Sequence, residues 1–153
     1  MARIDKLTRL VSVFDQFNGV IASLDDPVAK RLAENWRVIR GNYVDRLAAS
    51  RSALATGMEQ GLRETPAVLG AMQPETRKVA AEALATAVAA HYPEFLIKDS
   101  ARLEKIDARG SIRGENEFYL VRHHIDVLES DPSKNVELLR WYALVERFES
   151  RRM

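Results

Sequence analysis

The sequence predicts an all-α fold, an irregular bundle of about five to six helices in a single domain that spans residues 1–153. Apolar residues recur at helical spacing along most of the chain. Runs of alternating β-branched residues, which are typical of strands, do not occur. Acid and proline neighbours, which are typical of helix starts, stand at Pro27, Pro74 and Pro93. We therefore expect helices packed on helices.

The first predicted helix covers about residues 3–24. Its apolar side chains fall on one helix face and comprise Leu7, Leu10, Val11, Phe14, Phe17, Ile21 and Leu24. The Asp-Asp-Pro sequence at 25–27 ends this helix and begins the next one. We expect Asp26 to be the N-cap and Pro27 to occupy the first helical position, where a missing N–H costs nothing.

The second predicted helix is long and runs from about residue 27 to residue 62. Trp36 lies in the middle of its apolar stripe, so we expect this side chain to be buried. Gly41 weakens the middle of the helix by about 1 kcal/mol relative to alanine. Thr65 and Pro66 have the order of a fresh cap and helix start, so we place the end of the long helix before them.

The most basic part of the chain lies on this second helix, because residues 27–63 hold seven basic and three acidic side chains. Four basic residues fall within an arc of about 80° and form a candidate contact for nucleic-acid phosphates or another anion. They are Lys30, Arg37, Arg40 and Arg51. The alternative, which we favour, is a solvated flank whose arginine stems cover apolar surface. Reversing the charges of Arg37 and Arg51 should then leave the Tm nearly unchanged.

Four further helices are predicted downstream. They cover about residues 74–91, 93–108, 115–129 and 133–151. Tyr92 and Pro93 separate the first two, and the Ser-Asp-Pro-Ser sequence at 130–133 separates the last two. The stretch at 108–114, Ala-Arg-Gly-Ser-Ile-Arg-Gly, is the clearest loop of the chain because it holds two glycines.

The helix over 115–129 has an unusually wide apolar arc. Its apolar face comprises Phe118, Val121, Ile125 and Leu128, with Leu120, Val127 and His124 beside them. We expect His124 to be a packed histidine with one hydrogen bond. His123 and His124 point about 100° apart on a helix, so the two rings cannot bind one metal ion together.

The polar side of the same helix is the candidate partner-binding strip. It comprises Asn116, Tyr119, His123 and Asp126, next to Arg113 of the loop. The plainer interpretation is a solvated helix face. The functional interpretation is recognition of another protein, because tyrosine combines a rigid ring with a polar tip. A third hypothesis is a small-ligand binder or cryptic enzyme that uses Tyr119, His123 and Asp126.

Familiar catalytic motifs are missing from the sequence. Cysteine is absent, which excludes disulfides, thiolate catalysis and cysteine-based metal centres. No glycine-rich phosphate loop, His-Glu-x-x-His motif or Glu-x-x-His spacing occurs. These observations predict a protein that is not an enzyme and that holds no cofactor and no metal.

The remaining function class is protein binding, in a small cytoplasmic protein. The charged N-terminus lacks a signal-peptide pattern, and the most apolar run, at 79–92, is too short to span a bilayer. Abundant alanine and arginine are typical of a GC-rich bacterial genome. An immunity or antitoxin-type protein is one form of this hypothesis, and a regulatory protein is another. Nucleic-acid binding by the helix over 27–62 is the alternative.

Self-association is also predicted. The sequence offers more apolar surface than a six-helix monomer easily buries. This surface lies on the wide apolar arc of the 115–129 helix, on the Trp141–Tyr142 pair and on the long second helix. We expect a two-fold homodimer, because this is the commonest oligomer.

Overall fold

In the computed structural model, residues 4–45 and 49–152 are described, and all of the regular structure in these two ranges is helical. This confirms the predicted all-α class. Contacts divide the chain after Pro93 into two compact units, Met1–Pro93 and Glu94–Met153. The single domain expected from the sequence stays a prediction. Within the described ranges, no helix is both long enough and apolar enough to cross a membrane.

The first unit is built around its first helix. Its helices are α1 (Lys6–Ile21), α2 (Pro27–Ile39), α3 (Gly41–Val44), α4 (Arg51–Leu69) and α5 (Pro74–His91). Helix α1 contacts each of the other four. Its side chains Leu10, Phe17 and Ile21 are fully buried, as the apolar spacing predicts. Burial of this stripe supplies most of the driving force that holds the four later helices on α1.

The start of α2 has the capping geometry that the sequence predicts. The Asp26 carboxylate accepts hydrogen bonds from the backbone N–H groups of Val28 (2.8 Å) and Ala29 (3.1 Å), and Pro27 is the first helical residue. These bonds satisfy two donors that have no partner inside the helix. The other oxygen of Asp26 accepts from the backbone N–H of Gln73 (3.3 Å), just before α5. One buried carboxylate therefore joins the starts of two helices.

The prediction of one continuous helix over 27–62 is wrong. Helix α2 ends at Ile39, α3 is a single turn, and α4 begins separately at Arg51. The Ser50 hydroxyl caps α4 by accepting a hydrogen bond from the backbone N–H of Ala53 (3.1 Å). Apolar residues continue at helical spacing on both sides of the break, so the periodicity did not reveal it. Leu47, which follows Trp36 at the spacing of the predicted apolar stripe, lies outside the described residues.

Contacts with α1 explain where α2 ends. Arg40, the residue after α2, donates two hydrogen bonds to the Asp15 carboxylate, at 2.8 and 2.9 Å. Trp36, one turn earlier, donates to the same carboxylate through Nε1 at 2.8 Å. These bonds hold the last turn of α2 on α1. Gly41 then follows, and its low helix propensity favours a break at this point.

The predicted helix start at Thr65 and Pro66 is also wrong, because both residues lie inside α4. The Thr65 hydroxyl does not cap a new helix. It donates instead to the backbone carbonyl of Gly61, at 2.8 Å. Leu62 and Leu69 are buried on either side of the proline. Their burial keeps the helix continuous although Pro66 removes one backbone hydrogen bond.

The second unit has three α-helices in its described residues. They are α6 (Glu94–Arg109), α7 (Glu115–Leu128) and α8 (Asn135–Arg151), with a 3-10 turn at Pro132–Lys134. These bounds agree with the predicted helices to within two residues. Helix α7 contacts both α6 and α8. At its centre, the rings of Phe118 and Phe148 stack with their centroids 5.2 Å apart, and Val121 and Trp141 are buried beside them.

A polar cluster joins α7 to α8. His124 Nε2 lies 3.1 Å from Glu137 Oε2, and the Trp141 indole N–H donates to the same oxygen at 3.0 Å. The ring of Trp141 meets that of His124 edge-on, with centroids 5.4 Å apart. The hydrogen bond from Trp141, with a smaller contribution from His124, lowers the pKa of Glu137 despite partial burial. The prediction of His124 as a packed, hydrogen-bonded histidine is confirmed.

Truncation of Trp36 should strongly destabilise the first unit. Trp36 is only 8% exposed, as predicted, and its ring stacks on Phe14 (5.3 Å) and Tyr43 (6.1 Å). Trp36→Ala removes these contacts and the bond to Asp15, so the free energy of unfolding in urea should fall by about 3–5 kcal/mol.

The matched control is Val38→Ala on the same helix, because Val38 is exposed. It should change the free energy of unfolding by less than about 0.5 kcal/mol. A loss below about 1 kcal/mol for Trp36→Ala would show that this ring is not part of the core.

Candidate functional site

The loop between α6 and α7 has an unusual backbone. Gly110 has a φ of +76° and Gly114 a φ of +86°, a region that residues with a Cβ rarely adopt. Both glycines belong to the loop predicted at 108–114. Ile112, between them, is buried in the core of the second unit. Two glycines with positive φ and one buried anchor therefore give the loop a defined shape.

Side-chain hydrogen bonds brace this loop from within. Arg109 donates to the backbone carbonyl of Ser111 through Nε (3.1 Å) and a terminal nitrogen (2.8 Å), and it forms an ion pair with Glu117 of α7. Glu117 also accepts a hydrogen bond from the backbone N–H of Arg113 (2.6 Å). The loop is thus tied to both of the helices that it connects.

Helix α8 and the loop together line a pocket of about 590 Å³ inside the second unit. The lining residues are Gly110, Ser111, Ala143, Glu146, Arg147, Ser150 and Arg151. Arg151 ties the two walls together, because it donates a hydrogen bond to the backbone carbonyl of Ile112 (3.2 Å). A concave surface with a few converging polar groups is the usual form of a ligand site.

The arginines of this unit differ in their partners. Four are paired with carboxylates: Arg102 with Asp99 (3.6 Å), Arg109 with Glu117, Arg140 with Asp107 (3.4 Å), and Arg152 with Glu115 (2.6 Å). By contrast, no carboxylate of the described chain lies within 4.0 Å of the guanidinium of Arg147 or Arg151. A guanidinium has five N–H donors, so most of those in the pocket remain open to a ligand.

An exposed apolar surface on α8 leads to the pocket. Val136 is 75% exposed and Leu139 is 68% exposed. With Ala143 and Arg147 they follow the spacing of one helix face. The opposite face of α8 packs on the core through Leu138, Trp141, Leu144 and Phe148. We call the surface formed by Val136, Leu139, Ala143 and the pocket the α8 surface.

The predicted partner-binding strip on α7 is only partly exposed. Arg113 and Asn116 are exposed, whereas Tyr119 and His123 are half-buried. Asp126 is only 1% exposed, so its expected place on the solvated face of α7 is wrong. The helical wheel placed Asp126 on the polar side by its angle around α7, but the packing of the chain buries it. Arg113 belongs to the loop beside the pocket, so this part of the prediction lies near the α8 surface.

The four residues of the predicted basic stripe do not share one helix face. Lys30 and Arg37 lie on α2, Arg40 lies just after α2, and Arg51 begins α4. Arg37 donates to Glu34 at 2.5 and 2.9 Å, and Arg40 pairs with Asp15. Burial alone would raise the pKa of Asp15, but hydrogen bonds from Arg40 and Trp36 outweigh it and lower this pKa.

The remaining arginine of the stripe, Arg51, holds the start of α1. It donates to both oxygens of Asp5, at 2.6 and 3.0 Å, and to the Thr8 hydroxyl at 3.1 Å. Asp5 is the N-cap of α1, where it accepts from the backbone N–H of Thr8. The bonds from Arg51 and then from Thr8 hold the pKa of Asp5 well below its usual range. Three of the four cations are therefore engaged with carboxylates.

A buried carboxylate in the first unit was missed by sequence reasoning. Glu59 of α4 accepts a hydrogen bond from the Tyr92 hydroxyl and pairs with Lys6 (3.2 Å) and Arg63 (3.7 Å). The Arg9 guanidinium lies over the Tyr92 ring, 5.1 Å from its centroid. In the sequence Tyr92 stood only next to a helix-breaking proline. No local pattern linked it to Glu59, which is 33 residues away.

Comparison with known proteins gives no relative: the chain matches no protein-family model, no curated protein sequence and no solved structure. The candidate site therefore depends on its own geometry.

Charge reversal at Arg51 should lower the Tm, which corrects the earlier expectation for this residue. Arg51→Glu places a second carboxylate beside the Asp5 cap and removes its counter-charge. The Tm should fall below that of Arg51→Gln, and added NaCl should narrow this difference, because salt screens exposed charges. Arg37→Glu should have a smaller effect, since its partner Glu34 caps no helix. Equal Tm values for the two Arg51 variants at low salt would contradict this.

Acid should destabilise the chain through His123. Its Nδ1 is buried and has no hydrogen-bond partner among the described residues. Burial, with a smaller effect of neighbouring His124, lowers the pKa of His123 from 6.5 to about 4. The neutral ring therefore contributes its full stability above pH 6.5, and this contribution is lost as the pH falls towards 4. Between about pH 7 and about pH 5, the loss in unfolding free energy should be about 2 kcal/mol.

The control for this prediction is a pair of variants measured by urea unfolding at both pH values. His123→Gln should remove most of the dependence on pH, whereas His91→Gln should keep it. An unchanged pH dependence in His123→Gln would show that another group is responsible.

Proposed function

We propose that this chain is a non-enzymatic binding protein that holds another protein on the α8 surface. The observation that carries this proposal is the exposure of Val136 and Leu139 on a helix whose other face forms the core of the second unit. Large apolar side chains that stay in water on one helix face are typical of an interaction site. The adjoining pocket adds polar groups that give such a surface specificity.

The charge of the α8 surface favours a different protein over a second copy of this chain. The pocket part of this surface holds Glu146, Arg147 and Arg151, which leaves a net positive charge. In a parallel arrangement, a second copy would bring arginines against arginines. In an antiparallel arrangement centred on Ala143 it would bring Leu139 against Arg147. Both pairings are unfavourable, so contact across the whole α8 surface favours a partner of complementary charge over a second copy.

The two other hypotheses have less support. Nucleic-acid binding by residues 27–62 would need free cations on one face, but Arg37, Arg40 and Arg51 are paired with carboxylates. A small-ligand site at Tyr119, His123 and Asp126 would need an accessible carboxylate, and Asp126 is buried. The lack of cysteine fits a reducing compartment, so we place the binding protein in a bacterial cytoplasm. An immunity or regulatory role is a form of this proposal.

The proposal predicts that Leu139→Glu loses the partner. Tagged wild-type protein and variants are used for affinity purification from the native host after nuclease treatment. Ile97→Glu, on α6, is the matched control because Ile97 is 71% exposed. One protein should be retained by the wild type and by Ile97→Glu, and its affinity for Leu139→Glu should be at least about tenfold lower, or about 1.4 kcal/mol. Circular dichroism checks that all three proteins are folded.

Three outcomes would contradict the proposal. The first is equal retention of the same partner by Leu139→Glu. The second is loss of all binding after nuclease treatment, which would favour the nucleic-acid alternative. The third is a wild-type dimer in sedimentation equilibrium that Leu139→Glu turns into a monomer, which would identify the occupant as a second copy.

A further inference from the structure

We propose that the pocket between the loop and α8 binds a carboxylate, presented by an acidic side chain of the protein partner. This inference rests on the proposed function, because it identifies what the partner places beside the apolar part of the α8 surface. Arg147 and Arg151 are the residues that bind the carboxylate. Ser111 and Ser150 line the same pocket and add hydroxyl donors.

The first argument is the supply of donors. A guanidinium binds a carboxylate through two parallel N–H···O bonds, which is one of the strongest polar contacts in proteins. Within the part of the chain that the structure describes, Arg151 uses one bond on the carbonyl of Ile112, and Arg147 makes only a long bond (3.4 Å) to the carbonyl of Ala143 on its own helix. Both side chains therefore keep unused donors in a cavity that also holds hydroxyl groups.

The second argument is the balance of charge. Glu146 lies in the pocket with the two arginines, so the lining carries a net charge of +1. One carboxylate neutralises this charge. A phosphate monoester carries close to two negative charges at neutral pH and would leave the occupied pocket with a net negative charge. The charge of the lining is therefore matched by one carboxylate and exceeded by a phosphate group.

The third argument is preorganisation. The loop is held in place before any ligand binds. It is held by the Arg109–Glu117 ion pair, by the positive-φ glycines Gly110 and Gly114, and by the hydrogen bond from Arg151 to Ile112. A site that is already ordered loses less conformational entropy on binding. On α8, Leu139 and Arg147 are eight residues apart, or about 12 Å at 1.5 Å per residue. A partner segment of a few residues spans this distance with one apolar and one acidic side chain.

The test uses four blocked amino acids as probes, titrated into the complete protein and followed by NMR. N-acetyl-glutamate methylamide carries only a side-chain carboxylate. N-acetyl-glutamine carries only a terminal carboxylate, N-acetyl-glutamine methylamide is neutral, and N-acetyl-phosphoserine methylamide carries a phosphate. The first probe should shift the amide signals of Ser111, Arg147 and Ser150 saturably, with a Kd of about 1–10 mM. The other three should bind at least about fivefold more weakly.

The variants connect this binding to the pocket. Arg147→Gln should weaken the binding of the glutamate probe at least about fivefold, because it removes the guanidinium and keeps a polar side chain. Arg152→Gln is the matched control: Arg152 follows α8 directly but pairs with Glu115 and does not line the pocket. Arg152→Gln should bind the probe as the wild type does.

Each other outcome overturns a definite part of the inference. No saturable shift, or equal binding of the neutral probe, excludes an oxyanion site. Tighter binding of the phosphoserine probe would show that the pocket binds a phosphate group and not a carboxylate. Tighter binding of N-acetyl-glutamine would show that the bound carboxylate belongs to a chain terminus and not to a side chain. If the glutamate probe fails while Leu139→Glu still loses the partner, the carboxylate inference is wrong and the proposed function stands. If the glutamate probe binds but Leu139→Glu keeps the partner, the proposed function is wrong. The inference that the carboxylate comes from the protein partner is then wrong as well.

Discussion

The Asp15 carboxylate on α1 is the contact on which the arrangement of the first unit depends. It accepts hydrogen bonds from the Trp36 indole and from the Arg40 guanidinium, on either side of the point where α2 ends. The bonds satisfy a carboxylate that is partly withdrawn from water, which would otherwise cost free energy. They also place Trp36 between Phe14 and Tyr43, where its ring completes the aromatic part of the core. This one polar contact therefore fixes both the end of α2 and the position of the buried Trp36 ring.

The same kind of contact separates several arginines with a structural role from arginines whose donors remain open to a ligand. Where a carboxylate lies within reach, as for Arg51 and Arg109, the arginine holds a helix start or a loop. The guanidinium is then no longer open to an external anion. Arg147 and Arg151 have no such partner in the described residues, and both lie in the pocket. Net charge along the sequence pointed to residues 27–63, whereas in the structure two arginines without a carboxylate partner in the described residues line one pocket on α8.

Burial accounts for the contrasting environments of the two adjacent histidines. His124 shares the Glu137 carboxylate with Trp141, so its polarity is satisfied inside the packed interface of α7 and α8. His123, one residue earlier, points about 100° away and has a buried nitrogen that finds no partner in residues 4–45 and 49–152. A buried polar group without a hydrogen bond costs stability and favours the neutral ring. The wide apolar arc on α7 was visible in the sequence, but these partners were not.

The sequence alone determined the all-α class, the bounds of most helices, the cap at Asp26 and the burial of Trp36. These features depend on neighbours within a few residues, which periodicity and capping patterns report directly. Tertiary structure alone decided the break between α2 and α4, the burial of Asp126 and the pairing of Glu59 with Tyr92. It also decided which arginines remain free for a ligand. Each of these depends on groups that are distant in the chain, such as Asp5 and Arg51, and no local pattern records which distant side chains meet.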